Sequence, residues 1–238
     1  MVYSSNFYNE LIDQHEQIAV LIFANSSEEE LKHKCIPKGK GLFNYFNSQT
    51  LKKVRKTNLP FFLYSEKDQL GNNFAERFAN AIEDLFNKGY EKIITLGNDS
   101  PNLKVSHIIE ASKKLSHNDA VIGPSMDGGV YLMGLHRKSF NKLQFLELPW
   151  QTNTLAKTFI NKILKLGLTV HFLKYLKDID NLKDLKQFLR DIRNLSSIFK
   201  NILLTIFKTS FQEIRFQDVF ISKVVTTLHF NKGSPSLI

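Results

Sequence analysis

With 238 residues, 42% of them hydrophobic and 23% charged, the chain is long enough to bury one substantial core, and its composition is that of an ordinary soluble globular protein. A formal net charge of +9 favours anionic partners, but the lysines are spread along the chain with no block of five or more, which argues against a nucleic-acid tail. The single cysteine, Cys35, excludes an internal disulfide, no apolar run approaches the roughly 20 residues of a membrane helix, and the polar Met1–Gln17 stretch is unlike a signal peptide, so a cytoplasmic location is expected.

Residues 1–15 read as a lead-in helix or arm. The run Gln17–Ala24 (QIAVLIFA) is the most hydrophobic in the chain and the natural first, central strand. Ser26-Ser-Glu-Glu-Glu30 then opens a helical turn with acids at its start, as the helix dipole prefers. Apolar residues at 42, 43, 46, 51 and 54 follow at near-helical spacing. A second strand covers 59–64, an amphipathic helix 74–88, and a third strand the β-branched run Ile93–Leu96. After a helix over 105–115 comes a fourth strand, 119–123. This β-α-β-α-β-α-β order predicts an α/β fold with a mostly parallel sheet flanked by helices. The strand Val130–Leu135 follows too soon for a crossover helix, so it is expected to run antiparallel or to lie at an edge. Further on, 152–166 reads as a helix, 169–173 as a strand and 182–193 as a helix. The tail from 195 onward reads as a helix at 198–207 and two strands at 214–221 and 224–230.

In a parallel sheet, ligands collect beyond the carboxyl ends of the strands. Three such ends carry acids in turn-like settings: Asp99 beside Asn98, Asp127 ahead of Gly128 and Gly129, and the pair Asp178 and Asp180. Oxygen ligands of this kind suit a hard cation, Mg2+ or Mn2+, bridging the phosphates of a nucleotide. Each also has a plain structural reading. Asp99 sits before Ser-Pro as a turn-capping acid would, Asp127-Gly-Gly129 reads as a tight turn, and Asp180 stands where an N-cap belongs. Trp150, after Pro149, lines a pocket on one reading and fills core on the other. His107, His117, His136 and His171 lack metal-ligand spacing.

Taken in order, Gly97-Asn-Asp-Ser-Pro101, the stretch Gly123-Pro-Ser-Met-Asp-Gly-Gly-Val-Tyr-Leu-Met-Gly134, Leu148-Pro-Trp150-Gln-Thr152, and Asp178-Ile-Asp180 ahead of Asp184-Leu185 resemble the DUF2064 family. The resemblance runs from about Phe74 to Leu189. It implies a single-domain GT-A-like (Rossmann-like) fold with an antiparallel edge, expected over 1–194; residues 195–238 lie outside the resemblance and, from their helix and strand pattern, are expected to form a C-terminal β-containing appendage. Proteins of that kind are often described as glycosyltransferases or nucleotide-diphospho-sugar transferases, and are related in fold to nucleotidyltransferases such as 2-phospholactate guanylyltransferase. By the resemblance, Asp99 takes the metal position, Asp178 or Asp180 supplies a second ligand, and Asp127-Gly-Gly129 shapes the acceptor or sugar side, with Asp127 as the catalytic carboxylate. One departure stands out. Where relatives carry a Lys-Thr-Arg signature that holds nucleotide phosphates, this chain has Asn25-Ser-Ser-Glu-Glu-Glu-Leu-Lys-His-Lys34, leaving Lys32, Lys34 or Lys38 as the phosphate-binding point charge near three glutamates.

The expectation is therefore a transferase using a nucleotide-activated donor, a nucleotide-sugar before a nucleotide, with a divalent cation at Asp99 and donor contacts from Lys32, Lys34, Asn98, Gly128, Gly129 and Trp150. The alternatives are a non-catalytic GT-A-like binding module and a nucleotidyltransferase. The expected partners are a nucleotide or nucleotide-sugar and an acceptor the sequence does not name, with room for a homo-oligomer and no membrane span. Nucleic-acid binding rests on net charge alone.

Overall fold

In the computed structural model, residues 18–191 and 196–210 are described. β1 (Ile18–Phe23) is apolar at every position, and its side chains divide between two cores: Ala19 and Leu21 face one side, Val20 and Ile22 the other. It pairs in parallel with β2 (Phe61–Tyr64) on one flank and β3 (Lys92–Leu96) on the other. β4 (Ala120–Pro124) runs parallel to β6 (Val170–Phe172), and β5 (Val130–His136) is antiparallel to both β3 and β4. The six-stranded order is β2-β1-β3-β5-β4-β6. This is the mixed α/β, mostly parallel sheet that the strand-helix alternation predicts.

The antiparallel strand is where expectation and fold part. β5 does run antiparallel, because the Ser125–Gly129 turn is too short for a crossover. It does not lie at an edge, however; it is wedged between β3 and β4. The reason lies in its side chains. Tyr131 through Leu135 are all buried, which requires cover on both faces and a neighbour on each flank. Gly134 permits the fit, since a Cβ there would stand 3.1 Å from that of Val121 on β4.

Helices cover both faces. After the short α1 (Ser27–His33), α2 (Lys40–Arg55) and α4 (Val105–Leu115) pack Val54, Ile108, Ala111 and Leu115 against one face. On the other lie α3 (Phe74–Asn87), α5 (Lys142–Leu146) and α6 (Leu155–Lys165), which contribute Phe78, Ile82, Leu85, Phe145 and Phe159. A third cluster joins Leu42, Phe43 and Phe46 of α2 to Leu185 and Phe188 of α7 (Leu182–Asp191) and to Phe199, Leu203 and Ile206 of α8 (Ser197–Ser210). Thus α8, which the sequence places in a separate appendage, shares a buried cluster with α2 and α7. The lead-in at 1–15 and the strands expected at 214–221 and 224–230 lie outside the described residues. Among the described residues, no helix is long and apolar enough to cross a membrane.

Since β1, β2, β3, β4 and β6 point the same way, the loops that leave them gather at one rim. The opposite rim is fastened by Asp119. Its Oδ2 accepts from Thr169 N at 2.8 Å and Thr169 Oγ1 at 2.9 Å, and its Oδ1 meets Lys138 Nζ at 2.5 Å. Burial pushes this carboxyl up, but Lys138 and Thr169 outweigh it and hold the pKa at about 2. Replacing Asp119 by Ala is expected to cost about 2–3 kcal/mol of stability by loss of these bonds. Because the folded pKa is depressed, that contribution is complete above the ordinary aspartate range and is lost as pH falls toward 2. Urea unfolding of wild type and Asp119→Ala at pH 7 and pH 2.5 checks both points: the gap between them narrows at the lower pH.

Candidate functional site

The turn leaving β3 is bonded to several other loops. Asn98 turns inward and donates from Nδ2 to Asn47 Oδ1 at 2.6 Å, while Asn47 Nδ2 donates to Asn25 O at 3.0 Å. This chain of amides ties the exits of β1 and β3 to α2. Asp99 faces the other way. Its carbonyl accepts from Ile179 N at 3.0 Å, and its carboxylate meets Lys34 Nζ at 2.8 Å. Ser100, also buried, donates from Oγ to Asp178 Oδ1. Ile179 is sunk in the third apolar cluster and so anchors the acids on either side of it.

The loop after β4 is a tight turn closed on itself. Ser125 N donates to Gly129 O at 3.0 Å and Gly128 N to Ser125 O at 3.1 Å. Asp127 Oδ1 accepts from Ser125 Oγ at 2.5 Å and from Gly129 N at 3.0 Å. Gly128 is required: its φ is +92°, a Cβ there would lie 1.9 Å from Asn153 O, and its own carbonyl caps α6 through Ala156 N at 3.1 Å. The same turn is stitched to the 176–180 segment by Met126 N donating to Leu176 O at 2.9 Å. Asp127, Asp99, Asp178 and Asp180 thus come to one rim from three separate loops.

One ammonium sits among them. Lys34 Nζ lies 2.8 Å from Asp99 Oδ1, 3.0 Å from Asp180 Oδ1 and 3.6 Å from Glu30 Oε2, and it donates to Ile179 O at 3.3 Å. Its side chain is only 10% exposed. Burial alone would lower its pKa, but Asp99, Glu30 and Asp180 carry it well above the usual lysine value. The acids show the complementary strain. Asp178 is pushed up to about 6 by burial, against the pull of Ser100 and with Asp99 and Asp127 adding repulsion. Asp99 is likewise raised by burial, with Asp180 and Asp127 adding to the rise and Lys34 opposing it; Glu30 is raised by burial and then by Asp99. Among the described residues joined by these contacts, five carboxylates (Asp99, Asp127, Asp178, Asp180 and Glu30) share the rim with the Lys34 ammonium.

The other expected site residues lie elsewhere. Lys32 points to solvent, 67% exposed, and pairs with Glu29 at 2.6 Å. Trp150 packs among Phe74, Phe78 and Phe145, and its indole N–H is spent on Phe145 O at 2.9 Å, so it fills the core rather than joining the acids. At the start of α1, where a phosphate would need free amides, Ser26 N donates to Glu66 Oε2 at 2.7 Å and the first turn holds Glu28, Glu29 and Glu30. Among the described residues, no three His, Cys, Asp or Glu side chains form a ready metal-binding group. The donor atoms here are all hard oxygens, the kind a divalent ion takes, and the place between Asp99 and Asp180 is held by the Lys34 ammonium. Three participants escape a reading of the sequence. Glu30 is visible there only as a partner four residues before Lys34, whereas Ser100 and Ser125 sit inside motifs whose neighbouring acids are the more conspicuous ligands.

Behind Asn98, on the side away from Asp99, a cavity of about 190 Å3 opens between α2, α7 and α8, lined by Phe46, Thr50, Lys53, Pro101 and Phe199 among others. Lys53 donates to Pro101 O at 3.1 Å, and burial brings its ammonium down to about 8.

Residues 50–152 match the family described as "Uncharacterized protein conserved in bacteria (DUF2064)", so the resemblance carried by the loop motifs stands over that stretch. No curated protein matches the chain. Among solved structures, a protein from Desulfovibrio desulfuricans G20, provisionally named a nucleotide-diphospho-sugar transferase, shares the fold with a TM-score of 0.72 at 22% identity, over 83% of this chain and 98% of that one. Two other likenesses are too loose to carry an argument. The 4-diphosphocytidyl-2C-methyl-D-erythritolsynthase of Anaerococcus prevotii DSM 20548 has a TM-score of 0.48 at 12% identity, over 74% of this chain and 99% of that one. Rv0371c of Mycobacterium tuberculosis H37Rv, in complex with manganese, has a TM-score of 0.41 at 13% identity, over 74% and 100%.

The burial of Asp178, with the repulsion of Asp99 and Asp127 added, has a measurable consequence. An aspartate whose folded pKa is raised destabilises the fold as pH climbs from about 4 through about 6, and the penalty is constant above that. Asp178→Asn keeps an oxygen for Ser100 and removes the penalty. In metal-free buffer it is expected to stabilise the protein by roughly 1–2 kcal/mol at pH 7.5, a rise of a few degrees in Tm, and by nothing at pH 4. Thermal melts of the two proteins at both pH values decide it.

Proposed function

We propose that the chain is a transferase acting on a nucleotide-activated donor, with a divalent cation, Mg2+ or Mn2+, seated at Asp99 and shared with Asp178 and Asp180. The observation that carries this reading is the convergence of carboxylates from three loops at the strand-end rim, with more negative charge than Lys34 offsets. When bound, the cation offsets charge on the donor's diphosphate. The chain's own residues supply position. Asp99 is aligned by the hydrogen bond of its carbonyl to Ile179 N, and Asp178 is oriented by Ser100. Asp127, fixed through Oδ1 by Ser125 and Gly129, is the acceptor-side carboxylate that would receive a proton from an attacking hydroxyl. Asn98 acts indirectly, by locking the Asp99 turn to Asn47.

Charge also bears on the donor. Glu28, Glu29, Glu30 and Glu66 surround the place after β1 where phosphates would lie, and a triphosphate brings more negative charge there than a diphosphate-sugar. That favours sugar transfer over nucleotidyl transfer, the reaction of the 2-phospholactate guanylyltransferase relatives. The same glutamates, with Lys34 on the cation's ground, also support a second reading: a GT-A-like domain that has given up donor chemistry and serves as a binding module.

Calorimetric titration with UDP-, GDP- and CDP-sugars in the presence of Mn2+ separates the two. Under the transferase reading at least one donor gives heat, and Asp99→Asn, with its fold retained, weakens Mn2+ binding by more than about 100-fold and removes the donor signal. An absence of heat with every donor favours the binding module instead.

A further inference from the structure

Lys34 sits at the geometric heart of the acid rim, yet on sequence grounds it is expected to bind donor phosphate. Its surroundings are those of a bound cation. Four oxygens, from Asp99, Asp180, Glu30 and the Ile179 carbonyl, lie between 2.8 and 3.6 Å of one nitrogen. Solvent hardly reaches the ammonium, although Asp99 and Asp180 keep 36% and 50% of their side chains exposed, so water screens these two pairs in part. Lys34 closes α1, with φ −112° and ψ 124°, outside the helical region, and its ammonium sits at the end of a four-carbon stem whose rotamers can change without moving the backbone. Its backbone N–H meanwhile stays on Glu30 O at 2.9 Å, which keeps the chain in place while the side chain changes partner. A single positive charge leaves most of the rim's negative charge unanswered, whereas a divalent ion between Asp99 and Asp180 answers twice as much.

We propose that Lys34 is a tethered counter-ion of this rim: it holds Asp99, Asp180 and Glu30 together while no metal is bound, and it competes with a divalent cation for Asp99 and Asp180. The inference rests on the reading of the rim as a cation site and adds how that site is regulated. Metal entry requires the ammonium to leave. The protein's apparent metal affinity is thereby set low by a residue that does not itself ligate the metal.

The test is Mn2+ binding to the full chain, followed by calorimetry and by electron paramagnetic resonance of the free ion, with thermal melts in parallel. Lys34→Met keeps the stem and removes the charge. It is expected to bind Mn2+ about tenfold or more tightly than wild type, to melt lower than wild type in metal-free buffer, and to gain more in Tm on adding Mn2+ than wild type does. Asp99→Asn placed on the Lys34→Met background removes the gain. If Lys34→Met does not fold, the double variant Lys34→Met, Glu30→Gln removes one buried acid along with the lysine, and the same comparison applies. Wild-type Mn2+ binding that is unchanged or weakened in folded Lys34 variants overturns the competition and leaves the cation site standing. Folded wild type and variants that all fail to bind Mn2+ overturn both. Binding by the variants alone supports the competition in its strongest form.

Discussion

Carboxylates that crowd a partly buried rim either hold on to protons or gather around a positive charge, and here the Lys34 ammonium sits among acids whose pKa values are raised. Lys34 joins the end of α1 to the turn after β3 and to the Asp178–Asp180 segment, places far apart in the chain. Around this charge the neutral fastenings are arranged in layers: the Asn25–Asn47–Asn98 chain behind it, Ser100 and Ser125 beside it, and Ile179 below it. The apolar cores hold the elements, while these polar bonds hold the loops. Their strengths differ accordingly. The cores are apolar and indifferent to pH, whereas the loop layer is held by groups that titrate.

Much of this was legible in the chain. Runs such as Ile18–Phe23 and Ile93–Leu96 read as buried strands because they are apolar on both faces, and the glycine and acid just past the second mark a strand end at a ligand-binding rim. The direction of β5 was legible from the shortness of the turn before it. Its neighbours were not, because loop length limits direction and says nothing about which third strand fills the open flank. Glu30 was hidden by its company: three glutamates at a helix start read as a solvated, dipole-favoured turn, and nothing local reveals that the last of them is buried against Lys34. Trp150 was ambiguous for a similar reason. Its partners Phe74 and Phe78 lie on a helix some way upstream, and only the tertiary fold brings them to it.

The departure from the Lys-Thr-Arg signature acquires a physical sense in the structure. The segment after β1 is a short helix capped by Ser26, with Glu66 already on the backbone amide that a phosphate would seek. This segment presents acids and an occupied amide where the signature would present a phosphate cradle, and of its two lysines Lys34 faces inward to the carboxylates while Lys32 faces solvent.

The wedged strand and the rim together bear on how the molecule folds. β4 and β5 form a local hairpin, but β5 finishes its pairing only when β3 closes on its far side, and the bond from Lys34 to Ile179 spans 145 positions. Contacts of such long range carry the greatest loop-closure entropy and form late on the way to the native state. A chain with its sheet and helices formed but these long-range bonds still open would lack the assembled cluster of acids around Lys34. Nicks or truncations that spare most of the secondary structure would leave the same charges apart.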